Sequence, residues 1–190
     1  MSLNNEKKQA EKTLVNSVIQ GNTPAFGMII KHTEGLVAQI VFRMLRNTED
    51  RKDIVQEIYL KVFKNLREFK FQSKLSTWIA RIAYNTCVNH LEKQSLVLDD
   101  SINPAQTAPQ YSVPEEHIFR RELSIILNVE IEKLPPLYRT MIILYHHENL
   151  GYIDIAQVTG LPVGTVKSYL FRARKKLKEN ILAQYKQEEL

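Results

Sequence analysis

Residues 95–114, SLVLDDSINPAQTAPQYSVP, interrupt a chain that otherwise carries helix-type periodicity almost from end to end. Pro104, Pro109 and Pro114, several hydroxyl side chains and the adjacent Asp99 and Asp100 resist helix formation and bury little. The remainder contains only six glycines and reads as all-α. The pattern predicts helices over about 6–20, 24–46, 49–67, 75–93, 115–133, 136–147, 151–159 and 162–183. Thr23 and Pro24 read as an N-cap and a first-turn proline, and Asn47 or Thr48 can cap the helix entering at Glu49. With 190 residues the chain can bury one core or two small ones. The break favours two small helical domains, 1–94 and 115–190, joined by a flexible linker at 95–114. A long functional loop inside one domain is the alternative.

The C-terminal part contains a second constraint. Residues 151–177, GYIDIAQVTGLPVGTVKSYLFRARKKL, read as a helix-turn-helix. Gly160 stands where a left-handed helix stop needs a residue without Cβ, and Pro162 suits the first turn of a new helix. Val163, Val166, Leu170, Ala173 and Leu177 then form one apolar stripe, while Lys167, Arg172, Arg174, Lys175, Lys176 and Lys178 cover much of the rest. A short helix, a glycine turn and a basic amphipathic helix are the parts needed to lay one helix in a DNA major groove. The net charge of +5 favours a polyanionic partner, and the crowding of cations into 167–178 says more than the sum.

Two N-terminal stretches carry less obvious chemistry. In DRKDIVQEIYLKVFKNL, residues 50–66, Val55, Ile58, Val62 and Leu66 make a core stripe with Ile54, Tyr59 and Phe63 beside it. Asp50, Asp53 and Glu57 share a different face, either complementing the helix dipole or docking a basic helical surface of a partner. In FKFQSKLSTWIARIAYNTCVNHLEK, residues 69–93, Trp78, Ile79, Ile82, Ala83, Thr86 and Leu91 are expected to face the core. Phe69, Phe71, Ser73, Lys74, Ser76 and Thr77 cluster just ahead of the helix, and Arg81, Asn85, Asn89 and Lys93 repeat along one side. Aromatics, amides and cations together suit unstacked bases, although a core tryptophan with a solvated polar stripe would read the same way.

Several functions find no support in the residues. Cys87 is the only cysteine, which excludes an internal disulfide or a cysteine-rich zinc site and fits a reducing cytosol. The adjacent His146 and His147 point about 100° apart on a helix and cannot share a metal as an i, i+4 pair can. No Walker loop, nucleophile elbow or His-Glu-x-x-His helix is present, so the chain is not expected to be an enzyme or to need a metal or organic cofactor. No apolar run approaches a membrane span and the start, MSLNNEKKQAEK, has no apolar signal core, so a soluble cytoplasmic protein without membrane insertion is expected.

The order of these segments resembles the extracytoplasmic-function group of bacterial RNA polymerase sigma factors. D-x-x-D-I-V-Q-E-x-Y-L-K-V-F at 50–63 resembles the family's core-polymerase-binding segment, and S-T-W-I-A-R-I-A-Y-N at 76–85 its −10 and promoter-melting segment. L-P-x-x-Y-R at 134–139 and L-P-V-G-T-V-K-S-Y-L-F-R-A-R at 161–174 resemble its −35-binding domain. The resemblance implies a non-catalytic subunit whose Asp50, Asp53, Gln56 and Glu57 face basic clamp helices of core polymerase. Phe69, Phe71, Ser73, Lys74, Ser76, Trp78, Arg81 and Asn85 would take up the non-template single strand at −10, with one base flipped into a pocket. Thr165, Lys167, Ser168, Tyr169, Phe171, Arg172, Arg174 and Lys175 would read duplex DNA at −35. An anti-sigma factor is a further implied partner. Family members commonly carry arginine where this chain has Tyr169, which cannot fork onto guanine. A stand-alone helix-turn-helix regulator is the alternative reading.

Overall fold

In a computed structural model, which describes residues 2–97 and 126–188, every regular element among the described residues is helical. Helix α1 spans Ser2–Ile19, α2 Thr23–Met44, α3 Thr48–Asn65 and α4 Leu75–Val97, with a 3-10 turn at Leu66–Glu68 after α3. Residues 126–132 form α5, followed by α6 (Pro136–His146), α7 (Tyr152–Thr159) and α8 (Val163–Glu188). Helix α4 runs on to Val97, so residues 95–97 are helical rather than linker. Residues 98–114 of the expected linker and 115–125 of the expected helix lie outside the described residues.

Local signals explain most boundaries. Asn22, not Thr23, caps α2: its side-chain oxygen accepts from the Ala25 N–H at 3.1 Å, which moves Pro24 one place into the first turn. Asn47 caps α3 by accepting from the Glu49 N–H at 3.1 Å, with Glu49 and Asp50 in the positive first turn. Gly160 ends α7 at φ 72°, a left-handed conformation that costs a Cβ-bearing residue about 1–2 kcal/mol.

The N-terminal half packs α2, α3 and α4 around Ile29, Val37, Ile40, Ile58, Val62, Ile79 and Ala83, all buried. The expected stripe of α3 is partly shifted, because Ile54 is buried and Val55 only half-buried while Phe63 remains half-exposed. The C-terminal half packs α6, α7 and α8 around Met141, Leu144, Ile155, Val158, Val166, Leu170 and Ala173. The two halves also touch, α4 lying on α7 and α2 on α6.

Candidate functional site

Three surfaces carry the chemistry, beginning with the start of α4. Phe69 is only 5% exposed and forms a floor with Phe71 and Trp78, at ring-centroid distances of 4.7 and 5.4 Å. Phe71 holds φ 57°, a region that a bulky residue occupies only when its surroundings over-determine it. Above this floor opens a cleft of about 350 Å³ lined by Glu68, Lys70, Ser73, Thr77, Trp78 and Arg81, together with Gln157 of α7. Of the residues expected to take up single-stranded DNA, Phe69, Ser73, Trp78 and Arg81 line the cleft. Phe71, Lys74, Ser76 and Asn85 do not, although Lys74 and Asn85 are exposed nearby. The sequence placed Thr77 in the cluster ahead of α4, but not among the residues the family resemblance assigns to the single strand. Its hydroxyl is buried without a hydrogen-bond partner at the cleft wall. A threonine in the first turn of a helix, with no helical carbonyl four residues back, was the available signal.

The second surface is the outer face of α3. Asp53, Gln56 and Glu57 are exposed, and Glu57 pairs with Lys61 at 2.7 Å. Asp50 is different. Its carboxylate accepts from the Gln94 side chain at 2.9 Å and lies 3.2 Å from His90 Nε2, so it is tied to α4. Leu60 and Phe63, half-exposed, add apolar area to the same helix.

The third surface is the first half of α8. Val166, Leu170 and Ala173 are fully buried and seat the helix on its core. Lys167, Ser168, Phe171, Arg172 and Lys175 project to solvent, and Phe171 is 68% exposed. The Phe171 ring thus contributes little to the packing of α8. Thr165 is half-buried in the first turn. Arg174 is partly withdrawn, its Nε donating to His146 Nε2 at 3.1 Å with the guanidinium over the Tyr145 ring. Partial desolvation, and then the Arg174 cation beside it, hold His146 below its ordinary value. Tyr169 departs from expectation: it is half-buried, 5.7 Å from Tyr138 ring to ring, on the flank that faces inward. Among the described residues no group of acidic, histidine or cysteine side chains could hold a metal ion.

One chain thus carries a cleft with an aromatic floor and, on a second core, a basic helix. Comparison with known families matches both. The Sigma-70 region 2 family matches residues 29–97 and the Sigma-70 region 4 family matches residues 125–177. The ECF RNA polymerase sigma factor SigW of Bacillus subtilis is 31% identical over 179 residues, 90% of this chain and 96% of that protein. The chain belongs to the extracytoplasmic-function RNA polymerase sigma factors. The ECF RNA polymerase sigma-E factor of Haemophilus influenzae is 33% identical over 180 residues, covering 90% of this sigma factor and 95% of its own length. Two solved structures share the fold. CnrH in complex with the cytosolic domain of CnrY aligns at TM-score 0.64 and 23% identity, over 92% of this chain and 98% of that one. The sigma factor RpoE in complex with the anti-sigma factor NepR from Bartonella quintana aligns at TM-score 0.63 and 24% identity, over 81% and 94%. A match to region 2 as well as region 4 excludes a stand-alone regulator, which would leave residues 29–97 without a role. Sigma factors are non-enzymatic, and no helix among the described residues is long and apolar enough to cross a membrane.

Proposed function

We propose that this sigma factor binds core RNA polymerase through α3 and directs it to promoters whose −10 and −35 elements it reads with separate halves. Residues 1–97 serve polymerase binding, −10 recognition and melting, residues 98–114 connect, and residues 115–190 read −35. The carrying observation is the pairing, in one chain, of an aromatic-floored cleft at α4 with the exposed Lys167, Ser168, Phe171, Arg172 and Lys175 of α8.

Each surface suits its task. Asp53, Gln56 and Glu57 offer carboxylates and an amide to basic helices, which speeds docking and fixes register more than it adds affinity. The cleft can accept one base turned out of the duplex. Trp78 and Phe69 supply stacking, the Thr77 hydroxyl and Ser73 supply hydrogen bonds, and Lys70 and Arg81 neutralise phosphate. Extrusion costs a few kcal/mol, offset by those contacts, so strand opening and sequence reading are one event. On α8, Phe171 suits a thymine methyl and Arg172 a guanine edge, while the first-turn N–H groups at Thr165 suit a phosphate. The protein acts in the cytoplasm, where polymerase works, and an anti-sigma factor is its expected regulator.

In vitro transcription with core polymerase on a randomised promoter library tests this reading. Initiation confined to templates sharing two spaced motifs is the expected result. Initiation no more selective than that of core polymerase alone would overturn it.

A further inference from the structure

Helix α1 lies outside residues 29–97, the stretch matched by the region 2 family, yet it reaches the loop that builds the cleft. Its buried Val15 and Val18 seat it on the N-terminal core, and it packs against the 3-10 turn at Leu66–Glu68. Lys12 stands one helical turn before Val15 on the same face, so its half-buried stem runs along the protein before the charge is reached. Its ammonium sits over the Phe71 ring, 5.8 Å from the centroid. Among the described residues Lys12 makes no ion pair, so the ring is the group that faces its charge.

Phe71 is held at φ 57°, a left-handed conformation that suits glycine or asparagine far better than a bulky residue. A side chain keeps such a backbone only when its surroundings fix it. Here those surroundings are the core beneath the ring, Phe69 at 4.7 Å ring to ring, and Lys12. Phe71 does not itself line the cleft, but Lys70, Gln72 and Ser73 beside it do, while Thr77, Trp78 and Arg81 line it from α4. The Phe71 ring is therefore a peg, and where it sits sets where the loop residues on either side stand.

We propose that Lys12 is a positioning residue: by holding the Phe71 ring it fixes the loop 69–73, and through it helix α1 sets how selectively the cleft takes a −10 base. That the cleft takes such a base rests on the function proposed above; the hold of Lys12 on the loop does not. A cation over a partly exposed ring shifts an equilibrium by roughly two- to fivefold, so the contact tunes the loop and does not build it.

Three variants of the full chain separate the roles. Lys12→Met keeps the stem and removes the charge, Lys12→Arg keeps a cation, and Phe71→Leu keeps bulk without an aromatic face. Hydrogen exchange of the free protein, followed by mass spectrometry, reads local opening of the loop. In Lys12→Met, peptides covering 69–73 should exchange roughly two- to fivefold faster, while peptides from the buried part of α2 keep their rates. Lys12→Arg should keep the slow rate, and Lys12→Met should add nothing in a Phe71→Leu background. Unchanged exchange at 69–73 in Lys12→Met, acceleration that spreads evenly to α2, or the same acceleration in the Phe71→Leu background would overturn the positioning role. The comparison of Lys12→Met with Lys12→Arg decides the matter even where Phe71→Leu fails to fold. Holoenzyme binding to single-stranded oligonucleotides varied at each −10 base gives the second readout. Discrimination at one position should fall roughly two- to fivefold in Lys12→Met and return in Lys12→Arg. Faster exchange with undiminished discrimination would overturn the −10 role of the cleft and leave the contact between Lys12 and Phe71 standing.

Discussion

Tyr169 and Phe171 stand two residues apart on α8 and should respond to substitution in opposite ways. Truncating a fully buried aromatic ring to alanine costs about 3–5 kcal/mol, and a half-buried ring such as Tyr169 about half of that. Its contact with Tyr138, at 5.7 Å between centroids, is included in that loss. Tyr169→Ala should therefore cost about 2 kcal/mol. In a half of this size that lowers the melting midpoint by roughly 8–15 °C. Tyr169→Phe removes only the hydroxyl, and should leave −35 base preference unchanged. Phe171, 68% exposed, contributes little to the fold, so Phe171→Ala should change stability by less than about 0.5 kcal/mol. It should nevertheless flatten discrimination at one −35 base pair by about 1–3 kcal/mol, roughly 5- to 150-fold. Thermal melting by circular dichroism and competitive holoenzyme binding to −35 variants measure the two quantities separately. The reasoning fails if Tyr169→Phe shifts preference at a single −35 position while melting stays put, because the ring would then be facing DNA.

On α3, Asp53→Lys combined with Glu57→Lys should abolish binding to core polymerase in a pull-down, whereas Asp50→Asn should change affinity less than about threefold and destabilise the protein by about 0.5–1.5 kcal/mol. Equal losses in the two variants would return Asp50 to the docking face. Asn85→Ala should reduce permanganate-reactive open complex more than closed-complex binding; equal loss at both steps would remove Asn85 from melting. Burial pushes the Cys87 thiol up to about 12, against about 8.5 in an unfolded chain, so the unfolded state loses this proton first as pH rises. Stability should fall by about 1.4 kcal/mol per pH unit from this group above about pH 9, and Cys87→Ala should remove that slope in urea melts.

The sequence made the helical elements legible because each is framed by its own local signals: the Asn47 cap, the left-handed Gly160, and stripes such as Val166, Leu170 and Ala173. Phase along α8 also held the information that motif position obscured. At 100° per residue, Tyr169 lies about 65° from the centre of that buried stripe, while Phe171 lies about 135° from it. Assigning Tyr169 by the family's arginine position placed it with the DNA contacts; its angle alone places it on the flank of the core. Other features were not legible because they depend on pairs far apart in the chain. The bond from Gln94 to Asp50 spans 44 positions and that from Arg43 to Glu132 spans 89. No periodicity within one helix reports which acidic residue a distant helix will occupy. Asn22 displaced Thr23 as the α2 cap for a local reason: either residue can accept, and the asparagine oxygen meets the Ala25 N–H.

These long-range contacts differ between the α3–α4 pair and the meeting of the two halves. Helices α3 and α4 are joined at two polar points, Asp50 with His90 and Gln94, and Lys61 with Thr86 at 3.2 Å. Between these points Ile54, Ile58, Val62, Ile79, Ala83 and Cys87 are buried. A packed, twice-tethered pair moves as one body, because close-packed interiors deform little. On the proposed function, polymerase docking on α3 would therefore fix where the cleft stands, and a base captured there would be held relative to the core enzyme. The seam between halves is built differently. Arg43 of α2 and Arg139 of α6 both donate to Glu132, and part of their hydrogen-bonding capacity is unfilled. Charges taken out of water repay little of their desolvation cost, so the net strength of such a contact is small. The α3–α4 pair is thus packed and twice tethered, while the two halves share a polar contact in which Arg43 meets Glu132.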